Sequence, residues 1–193
     1  YFFFFFYINV LNHKYPLAPI HEAVGEVVKD PTVTYKKGDK VILVPNSFDD
    51  KFYSDNSNRR CHRKDLGDNY YPKAVFRSST ADGFLRNYYT CSPDLLVKYD
   101  ESIAPSIAVF SELLSVATAA LRRIDFNEVE KLALFGDGIM AYIVYIMLRY
   151  DHPDLDLTVF GIDDHKLEAF KNAKTAKFEE YKGEKFDTLI EAV

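Results

Sequence analysis

Apolar and polar positions along this chain follow three patterns, and each predicts a different kind of structure. Residues 11–45 and 75–97 carry short apolar runs cut by turn residues. Ala23–Val28 is a strand-like run interrupted by Gly25, Lys36-Lys-Gly38-Asp39 reads as a turn, and Lys40–Val44 is a second strand stopped by Pro45. Gly83 and Pro93 punctuate the later β stretch. Between the two, residues 46–74 lose apolar periodicity and fill with Asn, Asp, Ser, Lys and Arg, as expected of a long excursion. Residues 106–124 switch to helical spacing, with Ile107, Phe110, Leu113, Leu114, Ala117 and Leu121 recurring at three and four.

The last third alternates strand and helix. A strand over 131–135 leads through Gly136-Asp137-Gly138 into a helix over 138–150 that breaks at His152-Pro153. A strand over 157–160 then precedes a polar helix over 164–173, and Phe186–Ile190 is a third strand. Strands alternating with helices predict a parallel sheet. A glycine-rich turn between the first strand and its helix is the arrangement that binds a dinucleotide pyrophosphate. Gly136 allows the tight turn, Gly138 lets backbone approach the phosphates, and Ala141 keeps the helix close to its strand. Asp137 lies inside the turn, and the first helical residues, Ile139 and Met140, bring N–H groups and a partial positive charge to the same place. The predicted fold class is α/β. A β-rich domain over 1–105 is followed by a linking helix and the first half of a doubly wound sheet over 106–193. The rest of that sheet is expected beyond Val193, and the start of the protein upstream of Tyr1.

Composition narrows the function classes. The 193 residues carry a formal net charge of −5, which argues against a nucleic-acid surface. The aromatic opening Tyr1–Val10 lacks a basic flank and is too short to cross a bilayer, which takes about 20 apolar residues. Cys61 and Cys91 cannot build a disulfide framework or a four-cysteine zinc knot. A reducing cytoplasm is the simplest location, with no membrane and no nucleic-acid partner. The basic cluster Arg59–Lys64 could bind an anion, though a solvated face is the reading favoured for one short basic run in an acidic chain.

Three residues stand out chemically. His21-Glu22 sits at the start of a strand, and Glu112 lies among the apolar positions of the 106–124 helix. A carboxylate there needs a partner, because burying it unpaired is costly. An arginine would serve, and so would a metal. One histidine and two glutamates are sensible zinc ligands.

Five segments now carry a resemblance in order: Pro19-Ile-His21-Glu22-Ala-Val-Gly25-Glu-Val-Val28, Lys37-Gly38-Asp39-Lys-Val-Ile-Leu-Val-Pro45, Asp82-Gly83-Phe84, Glu112-Leu-Leu-Ser115-Val116 and Gly136-Asp137-Gly138. Together they resemble the medium-chain zinc alcohol and polyol dehydrogenases, from about Leu11 to Val193. Asp30–Tyr35, Val44–Asn46, Ala81–Phe84 and Phe135–Gly138 are most similar to the bacterial ribulose-5-phosphate reductases of that family. The resemblance implies a GroES-like first domain, a Rossmann second domain and a homodimer. It implies reduction of ribulose 5-phosphate to ribitol 5-phosphate with NADPH, for surface polymers of the teichoic-acid type, with a cytidylyltransferase of the same pathway as partner. His21 is then a catalytic zinc ligand, Glu22 an adjacent exchanging ligand, and Glu112 the carboxylate ligand of the polyol-dehydrogenase type.

Two departures follow. The family's cysteine ligand lies upstream of His21, where this chain has no cysteine, so either that part lies outside the sequence or the site is incomplete. The family's structural-zinc lobe maps to 46–74, where Cys61 stands alone, so one catalytic zinc and no structural zinc is expected. For the nucleotide, Gly161-Ile162 ends the second strand of the βαβ unit. An acid at that end reads the ribose 2′-hydroxyl of NAD. Gly161 leaves room for a 2′-phosphate and favours NADP, with Lys166 a contact by resemblance, while nearby Asp163 and Asp164 point the other way. Another alcohol or polyol dehydrogenase, a zinc-free quinone-reductase-like enzyme and a non-catalytic truncated relative remain the alternatives.

Overall fold

A computed structural model describes residues 16–47 and 74–193. These divide into two units, the first ending at Ser111 and the second running from Glu112 to Val193.

In the first unit, β1 (Val24–Glu26), β2 (Lys40–Leu43) and β5 (Leu96–Lys98) form an antiparallel sheet in the order β1-β2-β5. The register sets Val24 opposite Ile42 and Val41 opposite Lys98. Val41 and Leu43 are buried while Lys40 and Ile42 are less so, the period-two pattern of a strand with one covered face. A second pair joins β3 (Asn46–Ser47) to β4 (Val75–Phe76). The predicted β stretch over 75–97 is therefore mostly irregular. Gly83 and Pro93 interrupt it, and Pro93–Leu95 is a 3-10 turn leading into β5. The β2 entry is fixed by Asp39, which accepts from the Lys36 amide at 2.9 Å and from Lys98 Nζ at 2.6 Å. Gly38, at φ +95°, supplies the left-handed corner of that turn.

The predicted helix over 106–124 is two helices, α1 (Pro105–Ala108) and α2 (Ser111–Leu121). The chain breaks between them at Val109-Phe110, so one helical period does not run through both. Ile107 is exposed, whereas Ala117 and Leu121 are buried.

In the second unit, β6 (Lys131–Phe135), β7 (Asp156–Gly161), β8 (Lys174–Lys177) and β9 (Thr188–Glu191) are all parallel, in the order β8-β7-β6-β9. Counted within this unit the order is 3-2-1-4, that of the first four strands of a dinucleotide-binding sheet. Helix α3 (Ile139–Asp151) packs Ile143, Val144 and Leu148 against Leu132, Leu134, Leu157 and Val159. The opposite face of the sheet carries Ala133, Phe135 and Phe160, with Ala176 and Phe186 against them.

Two expectations shift here. The strand expected at 186–190 is the fourth, because β8 precedes it. Lys174-Thr-Ala-Lys177 is a polar edge strand with little burial, and so has no apolar alternation to read. The helix expected over 164–173 is only α4 (Asp164–Leu167). Its start is capped by the Asp163 carboxylate, and the following turns tighten to i→i−3 bonds that seat Phe170 against Tyr142 and Tyr145. Residues 48–73, which hold the basic cluster and Cys61, and the aromatic opening lie outside the described residues.

Candidate functional site

The glycine turn sits where the sheet order reverses. β6 has β7 on one side and β9 on the other, so the chain leaving β6 enters the crevice between diverging connections, the place where open α/β sheets bind ligands. Gly136 takes φ +133°, and a Cβ on it would lie 2.5 Å from the Ala192 carbonyl oxygen. Both the backbone conformation and the close approach require glycine there. Gly138 differs: its φ is −86° and a Cβ would meet nothing within 4 Å. The space above Gly138 is open, at the N-cap of α3, where the helix's free N–H groups face outward. Ala141 is fully buried beneath the turn.

A cavity of about 710 Å³ opens at these strand ends, lined by Gly136, Asp137, Gly138, Gly161 and Ile162, with the aromatic walls Phe178 and Tyr181. Five of the eight residues assigned to the nucleotide in sequence therefore share one cavity. Ile139 and Met140 form the first turn of α3 and Lys166 lies in α4; none of the three lines the cavity. Phe178 and Tyr181 carried no sequence signal beyond being aromatic, since they come from a 3-10 turn and its end after β8.

Gly161 has a tighter reason to be glycine than the sequence shows. Its would-be Cβ falls 2.7 Å from Asp137 Cβ and 2.9 Å from Asp137 Oδ2. The room beside the end of β7 is filled by Asp137, whose carboxylate accepts from the Ile162 amide at 2.7 Å and the Asp163 amide at 2.8 Å. Burial pushes this carboxyl up, but the Asp163 and Ile162 amides and the nearby Lys166 charge outweigh it and hold it below the ordinary range. The Lys98 ammonium, with help from the Lys36 amide, does the same for Asp39. A carboxyl depressed in the folded state stabilises fully above its unfolded value of about 3.9 and loses that contribution as pH falls through the folded value. Thermal melts are therefore expected to hold steady from neutral pH down to about pH 5, and to fall below about pH 4. Asp39→Asn and Asp137→Asn should each flatten that acid limb; an unchanged slope would contradict both assignments.

In the first unit, His21 and Glu22 are held by a strap. Segment 18–20 runs beside 82–85: Gly83 N donates to Ala18 O, Leu85 N to Pro19 O, Phe84 N to Ile20 O, and Asp82 Oδ1 accepts from Ala18 N. A Cβ at Gly83 would lie 2.2 Å from the Ile20 carbonyl oxygen, so only glycine permits the approach. Ile20 takes φ +75°, a costly conformation for a β-branched residue, directly before His21. The Asp82-Gly83-Phe84 motif thus does its work by fixing the backbone that presents His21.

The His21 ring is oriented from behind. Nδ1 lies 3.0 Å from Ser78 Oγ, and the ring packs on Phe76 with centroids 4.9 Å apart. Nε2 faces Glu22 Oε1 at 3.5 Å. Glu112 begins the second unit, one peptide bond beyond Ser111, in the first turn of α2. His21 and Glu22 thus belong to the first unit and Glu112 to the second. Zinc bonds of about 2.0–2.2 Å in a tetrahedron set neighbouring donors about 3.4 Å apart, close to the spacing of the His21–Glu22 pair. One imidazole and two carboxylates are a donor set that zinc accepts. The chemistry of these three side chains fits such an ion.

No protein-family model matches the chain. The fold is that of 2R,3R-butanediol dehydrogenase from Bacillus subtilis, with a TM-score of 0.73 over 93% of this chain and 52% of that one at 20% identity. S. aureus TarJ, solved in complex with NADPH, gives a TM-score of 0.65 at 28% identity over 96% of this chain and 50% of its own. The chain is similar to these reductases and dehydrogenases in sequence and fold. Its curated relatives are named ribulose-5-phosphate reductases: the one from Bacillus spizizenii is 34% identical over 165 residues, 84% of this chain and 45% of that protein. The chain spans about half the length of the curated relatives it matches.

Proposed function

We propose that this chain is the zinc- and nucleotide-binding part of a reductase that converts ribulose 5-phosphate to ribitol 5-phosphate with NADPH. Curated relatives named for ribulose 5-phosphate, and the likeness to an NADPH complex of TarJ, support the substrate and the nucleotide. The observation that carries the reading is the cavity where the sheet order reverses, lined by Gly136, Asp137, Gly138, Gly161 and Ile162, with His21, Glu22 and Glu112 as the zinc ligands of the proposal.

When bound, zinc polarises a ketone carbonyl and NADPH supplies the hydride. The chain's own residues prepare this. The hydrogen bond between Nδ1 and Ser78 Oγ fixes the ring's orientation and leaves Nε2 facing Glu22, the nitrogen that would ligate. Glu22 and Glu112 bring negative charge that balances a dication. The glycine turn and the start of α3 bring backbone N–H groups to a pyrophosphate, with Gly138 leaving the approach clear. Within this reading, residues 1–105 form the catalytic domain and 106–193 the start of the nucleotide domain, in a homodimer acting in the cytoplasm. The product is consumed by a cytidylyltransferase on the way to a teichoic-acid-type polymer.

Bound-metal analysis and NADPH titration on the purified full-length protein test this together. About one zinc per chain and saturable NADPH binding are expected for a site of this type. Zinc-free protein that still binds NADPH would remove the metal from the account. Protein that binds neither would leave only the fold.

A further inference from the structure

Asp137 stands inside the glycine turn, yet its carboxylate reaches beyond the turn. It crosses to the end of β7 and takes the Ile162 and Asp163 amides on one oxygen, Oδ2, at 2.7 and 2.8 Å. Its side chain is only 11% exposed, and its other oxygen, Oδ1, lies 4.0 Å from Lys166 Nζ. Gly161 is its steric complement, since any Cβ there would collide with Asp137 and with Leu167 Cδ2. A second tie reinforces the same loop: Lys177 Nζ donates to the Ile162 carbonyl at 2.9 Å and pairs with Asp164 at 2.9 Å. The turn after β6 and the loop after β7 are the two backbone segments that must hold still for one nucleotide to span them.

From this geometry we infer that Asp137 is a positioning residue: a carboxylate lock joining the glycine turn to the β7–α4 loop, so that the cavity between them is formed before the nucleotide arrives. The inference rests on the nucleotide reading above and gives Asp137 a role other than direct contact. It also makes Asp137 and Gly161 a matched pair. An acid in the turn requires glycine at the strand end, so Gly161 does not by itself report cofactor choice.

The lock is tested by NADPH titration and by amide hydrogen exchange at Ile162 and Asp163, on the full-length protein and its Asp137→Ala and Asp137→Asn variants. Losing hydrogen bonds to an ionised acceptor should weaken NADPH binding about tenfold or more in Asp137→Ala, and speed exchange of both amides by a similar factor without nucleotide. Asp137→Asn keeps an oxygen acceptor of the same shape and should bind NADPH within about threefold of the wild type. Should Asp137→Ala fail to fold, the Asn variant carries the test alone. Folded Asp137→Asn that falls as far as about tenfold would make charge the operative property and overturn the lock. Unchanged exchange, or unchanged NADPH affinity in Asp137→Ala, would overturn it as well. Wild-type protein that binds no NADPH while the exchange difference persists would instead overturn the nucleotide reading, and with it the purpose given to the lock.

Discussion

His21→Ala is expected to strip the protein of zinc and to lower ketone reduction by roughly a thousandfold or more, since a metal acting as Lewis acid supplies several kcal/mol of transition-state stabilisation. The expectation follows from the way the ring is held. Its Nδ1 is anchored on Ser78, its ring meets Phe76 at a tilt, and the strained Ile20 backbone before it is clamped against the strap at Gly83. So much of the surrounding structure fixes this one ring that no neighbour can substitute for its Nε2. Glu22→Gln is the informative contrast. If Glu22 is an adjacent, exchanging ligand, zinc affinity and activity should fall by only about 10–100-fold, as for partners just outside the coordination sphere. Zinc content and turnover, measured on both variants alongside melting curves, separate the two roles. His21→Ala that folds, keeps its zinc and turns over normally would place the chemistry elsewhere.

Gly136→Ala and Gly138→Ala, two residues apart in one turn, are both expected to weaken NADPH binding, but only the first through a loss of stability. At Gly136 the left-handed backbone and the 2.5 Å approach of the Ala192 oxygen both reject a Cβ. The strain alone costs on the order of 1–3 kcal/mol, and the clash with backbone adds to it. That variant should melt several degrees lower and bind nucleotide poorly because the end of β9 has moved. At Gly138 the backbone is ordinary and the surroundings are open, so the alanine variant should melt within about a degree of the wild type. Its methyl group nevertheless occupies the approach to the pyrophosphate, and NADPH affinity should drop about tenfold or more. Differential scanning calorimetry and NADPH titration on the pair give the result. Normal NADPH binding by Gly138→Ala would show that the phosphates lie elsewhere.

The legible parts of this fold were those whose burial leaves a mark in the local sequence. β6 and β7 are buried apolar runs, and they appear within a residue of where the periodicity puts them. β8 was not legible, because an edge strand that buries little has no pattern to show. Missing it made β9 look like the third strand and hid the 3-2-1-4 order that sets the glycine turn in its crevice. The break at Val109-Phe110 was hidden for a related reason: apolar residues continue at helical spacing on both sides while the backbone does not. Among the proposed ligands, Glu112 stood out in the sequence as a carboxylate among apolar helix positions, and His21 and Glu22 through the resemblance. The support around them did not. Ser78 lies 57 positions from His21, and Asp137 reaches the Ile162 amide 25 positions on, and nothing in the local sequence near the glycine or the histidine announces them. The phenomenon is general for residues that act by holding others: their chemistry is ordinary, and only the tertiary structure says what they hold.

The most direct test of the reductase reading is NADPH consumption by the full-length protein with ribulose 5-phosphate, followed before zinc chelation, after it, and after zinc is restored. The account predicts turnover that disappears on chelation, returns with zinc, and is far weaker when unphosphorylated ribulose replaces the phosphate ester. Protein that holds zinc and NADPH but leaves ribulose 5-phosphate unreduced would contradict the proposed substrate, and turnover that persists in zinc-free protein would contradict the metal's role.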